Sequence, residues 1–279
     1  MKLLRFGPAG QEKPGAVDAQ GQWRDLSALI DDWTPHWLHP TRLQALQAID
    51  LHKLPLVPSD TRLGPPLVGS PQFLAIGLNY RQHAIEAGMP IPTEPVVFNK
   101  ALTSLAAPND AVRLPPGSEH TDWEVELGIV MGSPAHHVSE ADALAYVAGY
   151  VLANDLSERD WQTQRNGQWV KGKSYPGFGP IGPYLVTADE IPDPQCLPLQ
   201  LDVNGQTRQR SSTADMIFPV RHIVAYLSRF MQLLPGDVIL TGTPEGVGMG
   251  CKPPVYLRAG DTVVLQGGIL GTQTQQITA

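Results

Sequence analysis

Glu124 and Glu126 stand two residues apart in TDWEVELGIV (121–130), with Trp123, Val125, Leu127 and Ile129 at the alternating positions. That period of two predicts a β-strand, on which side chains i and i+2 share a face. Two carboxylates about 5 Å apart repel by roughly 3 kcal/mol at an effective dielectric near 20. Protonation of one partner, or a cation shared by both, relieves the repulsion. Asp155 lies where the apolar run GYVLAND turns polar, and is the candidate third carboxylate. Three carboxylates, with waters and a chelating substrate, suit Mg²⁺ or Mn²⁺. The plainer alternative is a half-exposed strand carrying paired acids.

His83 and Glu86 are spaced i, i+3 in NYRQHAIEAG (79–88), which brings them side by side on a helix. A histidine oriented by a carboxylate is a usable general base near neutral pH. The same spacing is also common on surface helices. Lys173 lies in QWVKGKSYPGFGPIGP (168–183), a Gly/Pro-rich loop that is costly to order unless its backbone has a task. It is a candidate to stabilise a developing enolate or bind a carboxylate, or is simply solvated. LTGTPEGVGMG (240–250) has the character of an anion-binding loop, with Thr243 and backbone N–H groups as donors. It lacks the G-x-G-x-x-G spacing and the following helix of a dinucleotide site. His136, His137 and His222 have no ligand spacing.

These groups need a scaffold. Residues 1–65 form a small α/β module: KLLRFG and PGAVDAQGQWRDL predict strands with a turn at Asp18–Gly21, and 41–49 a helix. A stretch rich in Pro, Gly and Ser connects it to a larger domain at 70–279. There, FLAIGLNY, PVVFNK, DWEVELGIVM, GYVLAND, DVILTGTP and DTVVLQGGILGTQTQQI predict strands, and LQLDVNGQTRQ a hairpin turning at Asn204–Gly205. Helical spacing covers YRQHAIEAG, 139–147 and 218–234. The fold class is α+β, rich in strands, with short helices.

The chain has 279 residues, 42% hydrophobic and 17% charged, which fits a folded protein with a sizeable core. Its formal charge is −7 and no Lys/Arg cluster stands out, so neither nucleic acid nor an anionic membrane is an expected partner. The two cysteines, Cys196 and Cys251, form no metal or disulfide pattern. The opening MKLLRFGPAG reaches charge and glycine within a few residues, so no signal peptide is expected, and no apolar run approaches the roughly 20 residues of a membrane span. A soluble, cytoplasmic setting is expected.

In order along the chain, GLNYRQHAIEAG, DWEVELGIVMG, NDLSERDWQ, KGKSYPGFGPIGP and PGDVILTGTPEGVG resemble the fumarylacetoacetate hydrolase family over about residues 70–279. The resemblance implies a twisted, strand-rich β-roll, usually dimeric, with a divalent cation at its mouth. By it Glu124, Glu126 and Asp155 match the metal ligands, and His83 and Glu86 a water-activating dyad on a segment that orders with substrate. Arg159 and Gln162 match groups facing the substrate, Lys173 the catalytic lysine, and Thr243 a carboxylate contact. The opening KLLRFGPAGQEKPG and STADMIF (212–218) extend the similarity to a bacterial branch acting on 2,4-diketo-3-deoxy sugar acids of the L-rhamnonate or L-fuconate type. That implies hydrolysis of the C3–C4 bond of a 2,4-dioxo acid, giving pyruvate and lactate. The chain departs from the resemblance at two positions: Pro176, where many members carry Asp, and Leu78, where some acylpyruvate hydrolases carry Arg. Two alternatives stay open: decarboxylation or tautomerisation of a keto acid such as oxaloacetate, and metal-dependent binding of sugar acids without catalysis.

Overall fold

A computed structural model describes all 279 residues. Strands dominate, and the longest α-helix is Val220–Leu227, with 8 residues. Gly and Pro are abundant, 27 each, in keeping with many turns and short elements. No helix is long and apolar enough to cross a membrane.

The larger sheet is 11-stranded. Its central strand, Val125–Met131, pairs antiparallel with Val147–Asn154 on one side and Val238–Leu240 on the other. Phe73–Gly77 adds in parallel to Val238–Leu240, and Val96–Asn99 closes that edge. On the opposite side Val147–Asn154 pairs with Leu185–Thr187, which pairs with Lys2–Phe6. The strands Lys13–Val17, Trp23–Asp25 and Leu56–Val57 continue from there, so the N-terminal segment hydrogen-bonds into the same sheet as the rest of the chain.

A second sheet of five strands runs Gln206–Ser212, Pro198–Val203, Thr262–Gln266, Thr272–Thr278, Val112–Arg113. Its hairpin turns through Asn204 (φ 53°) and Gly205 (φ 75°), the two positive φ values that a tight Asn-Gly turn requires. Between the sheets lies a core of 36 buried residues, to which the central strand contributes Val125, Leu127, Ile129 and Met131. On the other face Val130 joins Val151, Ala153, Trp33 and Leu38 in a second cluster of 19. Each large apolar side chain so buried contributes about 1.5–3 kcal/mol. Gly128, opposite Val151, is part of that close packing: a Cβ there would lie 2.6 Å from Val151 Cγ2.

Three elements differ from sequence expectation. The regular strand begins at Val125, because Thr121–Asp122 pairs separately with Ser157–Glu158; Trp123 and Glu124 join the two. The helix expected over 139–147 is a single 3₁₀ turn, Ala143–Tyr146. Ser139 and Asp142 bond each other, and Val147 is taken into the sheet opposite Met131, leaving too few residues for a helical nucleus. The helix expected over 218–234 spans only Val220–Leu227. Ser228 Oγ donates to Ala225 O and accepts from Val138 N, and Leu233 bridges Ala135 in extended form. Extended pairing there outweighs the helical periodicity of the sequence.

Candidate active site

The apolar face of the central strands ends in carboxylates. In the register of Val125–Met131 against Val147–Asn154, Glu126 lies opposite Ala153, on the face that carries Gly128 and Val130. Asp155 follows directly, its N–H bonded to Glu124 O at 2.9 Å. Glu124, Glu126 and Asp155 are all buried, with one carboxylate oxygen of each within 4.8 Å of the others. The sequence-level choice between paired surface acids and an inward-facing cluster is thus decided for the cluster.

The charges around them are uneven. Lys173 Nζ donates to Glu124 Oε2 at 2.5 Å and Asp155 Oδ2 at 2.7 Å. Arg159 lies 2.7 Å from Glu124 Oε1 and binds Gln162 Oε1 at 2.9 Å. Burial alone would raise the Glu124 carboxyl, but Lys173 and Arg159 hold it down at about 2. Burial would lower the Lys173 ammonium, but Asp155 and Glu124 outweigh it and raise the group. Glu126 has no such cation: its hydrogen bond comes from Gly242 N–H at 2.7 Å. Burial first, then Asp155 and Glu124, push its carboxyl well above the ordinary range. An all-oxygen donor set with one strongly disfavoured charge fits a hard divalent cation.

Gly242 itself has φ +95°, and a Cβ there would lie 2.8 Å from Asn79 Cβ and 3.0 Å from Ile76 O. Only glycine brings that N–H to Glu126.

His83 and Glu86 share the helix Arg81–Glu86, with His83 Nδ1 and Glu86 Oε2 3.2 Å apart. With its proton on Nδ1, His83 donates to Glu86 and leaves Nε2 free to accept. Glu86 is held in turn by Gly246 N–H, at 3.0 and 3.2 Å from its two oxygens. A Cβ on Gly250 would lie 2.5 Å from Glu86 Cδ, so the loop closes tightly over this carboxylate. The loop is therefore anion-binding, as its sequence suggests, but the anions it holds belong to the protein. Gly248 and Met249 donate to Asp122 at 2.7 and 3.0 Å. Thr243 is likewise engaged, donating to Val125 O and accepting from Gln209 Nε2.

A cavity of about 110 Å³ opens over the cluster. Of the nine residues expected at the site, seven line it: His83, Glu124, Glu126, Asp155, Arg159, Gln162 and Thr243. Glu86 and Lys173 stand one layer behind, bonded to His83 and to the carboxylates. The wall opposite is apolar, with Leu78, Met89, Phe98, Trp169 and Met249. Trp169 packs edge-on to Phe98 at 5.2 Å between ring centroids and lies over Gly77, where a Cβ would lie 2.3 Å from its ring. Two buried charges escaped sequence reasoning. Asp122 accepts from Trp123, Gly248, Met249 and Arg159, and Lys100 donates to Asp155. Asp122 sits in the quoted TDWEVELGIV, two residues before Glu124, and Lys100 closes PVVFNK; the charged partner of each, Arg159 and Asp155, lies 37 and 55 residues away.

Comparison with known proteins agrees with this geometry. Residues 72–278 match the model for the fumarylacetoacetate (FAA) hydrolase C-terminal domain. A Burkholderia multivorans protein named only as a hydrolase is 56% identical over 276 residues, covering 99% of this chain and 98% of its own. A 2-hydroxyhepta-2,4-diene-1,7-dioate isomerase from Mycobacterium marinum superposes with TM-score 0.80 at 33% identity, covering 100% of this chain and 98% of its own. Maleylpyruvate hydrolase from Sphingobium sp. SYK-6, solved with manganese(II) and pyruvate, superposes with TM-score 0.82 at 27% identity, covering 100% and 99%. The strand-rich fold expected from the resemblance is the one found. With its carboxylate cluster at the end of the central strands, the chain belongs to the fumarylacetoacetate hydrolase family.

Proposed function

We propose that the protein hydrolyses the C3–C4 bond of a 2,4-dioxo acid with the help of a divalent cation, Mg²⁺ or Mn²⁺. The observation that carries this is the meeting of three buried carboxylates and a histidine, itself bonded to Glu86 behind it, on one small cavity. Glu124, Glu126 and Asp155 would hold the cation. Once bound, it would supply Lewis-acid polarisation of the substrate's 2-keto oxygen.

The chain's own groups account for the remaining steps. Glu86 keeps His83 oriented, and His83 Nε2 takes a proton from water. The resulting hydroxide adds to C4, the C3–C4 bond breaks, and C4 leaves as a carboxylic acid. The electron pair stays on C3 as the enolate of pyruvate, and protonation at C3 completes the balance. Two protons of the Lys173 ammonium are engaged, and the third is free to offset charge developing on the enolate oxygen. Arg159 and Gln162, braced against each other, present polar groups to the substrate.

Within this class we propose a 2,4-diketo-3-deoxy sugar acid of the L-rhamnonate or L-fuconate type. Beyond C4 such a substrate carries one hydroxyl-bearing carbon and a methyl group. The apolar wall of Met89, Phe98, Trp169 and Met249 suits that methyl. The isomerase among the similar structures favours a second reading, proton transfer on an enol by His83 without attack by water.

The test is metal-free protein resupplied with Mg²⁺ or Mn²⁺ and given the sugar acid, an acylpyruvate, oxaloacetate and a 2-hydroxydienoate in parallel. Metal-dependent pyruvate and lactate from the first substrate support hydrolysis and this branch. Carbon dioxide from oxaloacetate alone moves the protein to decarboxylation, and a shift in ultraviolet absorbance without cleavage moves it to isomerisation.

A further inference from the structure

Lys100 directly follows the edge strand Val96–Asn99 and turns inward. Its side chain is 0% exposed and takes no part in the cavity wall. It reaches the site from behind. Nζ donates to Asp155 Oδ1 at 2.5 Å and to the carbonyl of Lys173, and approaches the carbonyl of Leu156 at 3.4 Å. The next residue, Ala101, donates its N–H to Ser174 Oγ at 2.8 Å. Residues 100 and 101 thus grip the chain at Lys173 and at Ser174. Two further features seat the same segment. Gly172 packs against the helix Arg159–Thr163, where a Cβ would lie 2.5 Å from Glu158 O and 2.6 Å from Gln162 N; Lys173 Nζ lies 5.3 Å from the Phe98 ring.

An ammonium has three protons, and Lys100 has three acceptors. None is left for a substrate. Burying a charge is costly unless it is paired and bonded, and here every bond goes to Asp155 or to the main chain around Asp155 and Lys173. Lys100 takes Oδ1 of Asp155, while Oδ2 accepts from Lys173 Nζ, which also binds Glu124.

We propose that Lys100 is a positioning residue for both halves of the site. It restricts Asp155 to one oxygen toward the cation, and it fixes the main chain from which the Lys173 side chain springs. This rests on the metal-site reading given above, and the test separates the two.

The variant Lys100→Met removes the charge and keeps the length. The probe is Mn²⁺ alone, with the free ion counted by electron paramagnetic resonance, followed by steady-state kinetics at saturating Mn²⁺. Expected is a Mn²⁺ affinity weaker by about 10–100-fold, the usual cost of losing a group that orients a metal ligand. With it, kcat falls at least about tenfold while KM stays within about threefold, because Lys100 does not touch the cavity. A merely structural role would lower the melting temperature and leave the affinity of the folded fraction unchanged. That result, or affinity and kcat within twofold of wild type, overturns the proposal. Should Lys100→Met fail to fold, Ser174→Ala tests the grip on Lys173 from its half-buried side. Expected there is a fall in kcat of about tenfold with Mn²⁺ affinity intact, since misplacement of a catalytic group is costly; an unchanged kcat overturns the proposal. Wild-type protein that binds no Mn²⁺ overturns both the metal site and the role of Lys100, whereas wild-type binding matched by Lys100→Met overturns the role alone.

Discussion

Replacing Asp122 by Asn should cost far more than one neutralised acid. Asp122 is fully buried, and both its oxygens are used. Oδ1 accepts from Trp123 N at 2.8 Å and Gly248 N at 2.7 Å. Oδ2 accepts from Met249 N at 3.0 Å and Arg159 Nε at 2.8 Å, with Arg159 Nη2 at 2.7 Å. An amide offers one oxygen and turns N–H groups toward the remaining donors. Either the loop N–H groups or the guanidinium then lose their acceptor. One buried donor left unmet costs about 1–3 kcal/mol, and breaking a buried ion pair about 3–5 kcal/mol. Arg159 keeps Glu124 and Gln162, so the total stays near about 3–5 kcal/mol. At about 2–4 °C per kcal/mol for a large domain, the melting temperature should fall by roughly 10 °C. The loop also carries the N–H that holds Glu86, so kcat should fall as well, measured below the new transition. Calorimetry showing a melting temperature within 2 °C of wild type would refute the idea that this carboxylate joins the loop to Arg159.

Three more outcomes follow from the structure. His83→Ala should cut hydrolytic turnover by about 10²–10⁴-fold and leave Mn²⁺ titrations unchanged; near wild-type hydrolysis would remove the general base from the scheme. Gly242→Ala forces a side chain into left-handed backbone against Asn79, at about 2–5 kcal/mol in urea unfolding, and weakens Mn²⁺ binding through Glu126; a stable variant with normal affinity would contradict the contact. Asp237 is pushed up to about 6 by burial, so its protonated form favours the fold: this contribution is complete below about pH 4 and is lost as pH rises through about 6. Asp237→Asn should therefore gain on wild type between pH 4 and 6.5 in urea midpoints, and a pH-independent difference would dismiss the shift.

Much of the site was legible because its chemistry lies in short, periodic segments. The alternation in VELGIVM marked both the strand and its carboxylate end, and H-x-x-E was already a pair on paper. What could not be read were the long-range partners. Lys100 follows a short, exposed edge strand, where a lysine is ordinarily solvated, and its acceptors on Asp155 and Lys173 lie 55 and 73 residues away. The loop at 240–250 announced that it binds an anion, but Glu86, 160 residues distant, gave no sign of being that anion. Helix lengths were overestimated for a related reason. Apolar spacing in 218–234 is compatible with a long helix, but the pairing of Leu233 with Ala135 is a tertiary fact invisible in the local pattern.

The entry of the first strand into the main sheet bears on how the chain folds. Lys2 pairs with Val186 and Leu3 with Leu185, so this seam cannot close until residues from far along the chain are present. Non-local pairing of this kind slows folding and leaves strand edges open meanwhile. During synthesis Lys2–Phe6, Lys13–Val17, Trp23–Asp25 and Leu56–Val57 can pair locally, but the outer edge of Lys2 and Leu3 waits for Leu185–Thr187. Slow refolding, with aggregation that increases with protein concentration, is the kinetic signature this topology carries, and weakening the Lys2–Phe6 hairpin should prolong the exposed interval.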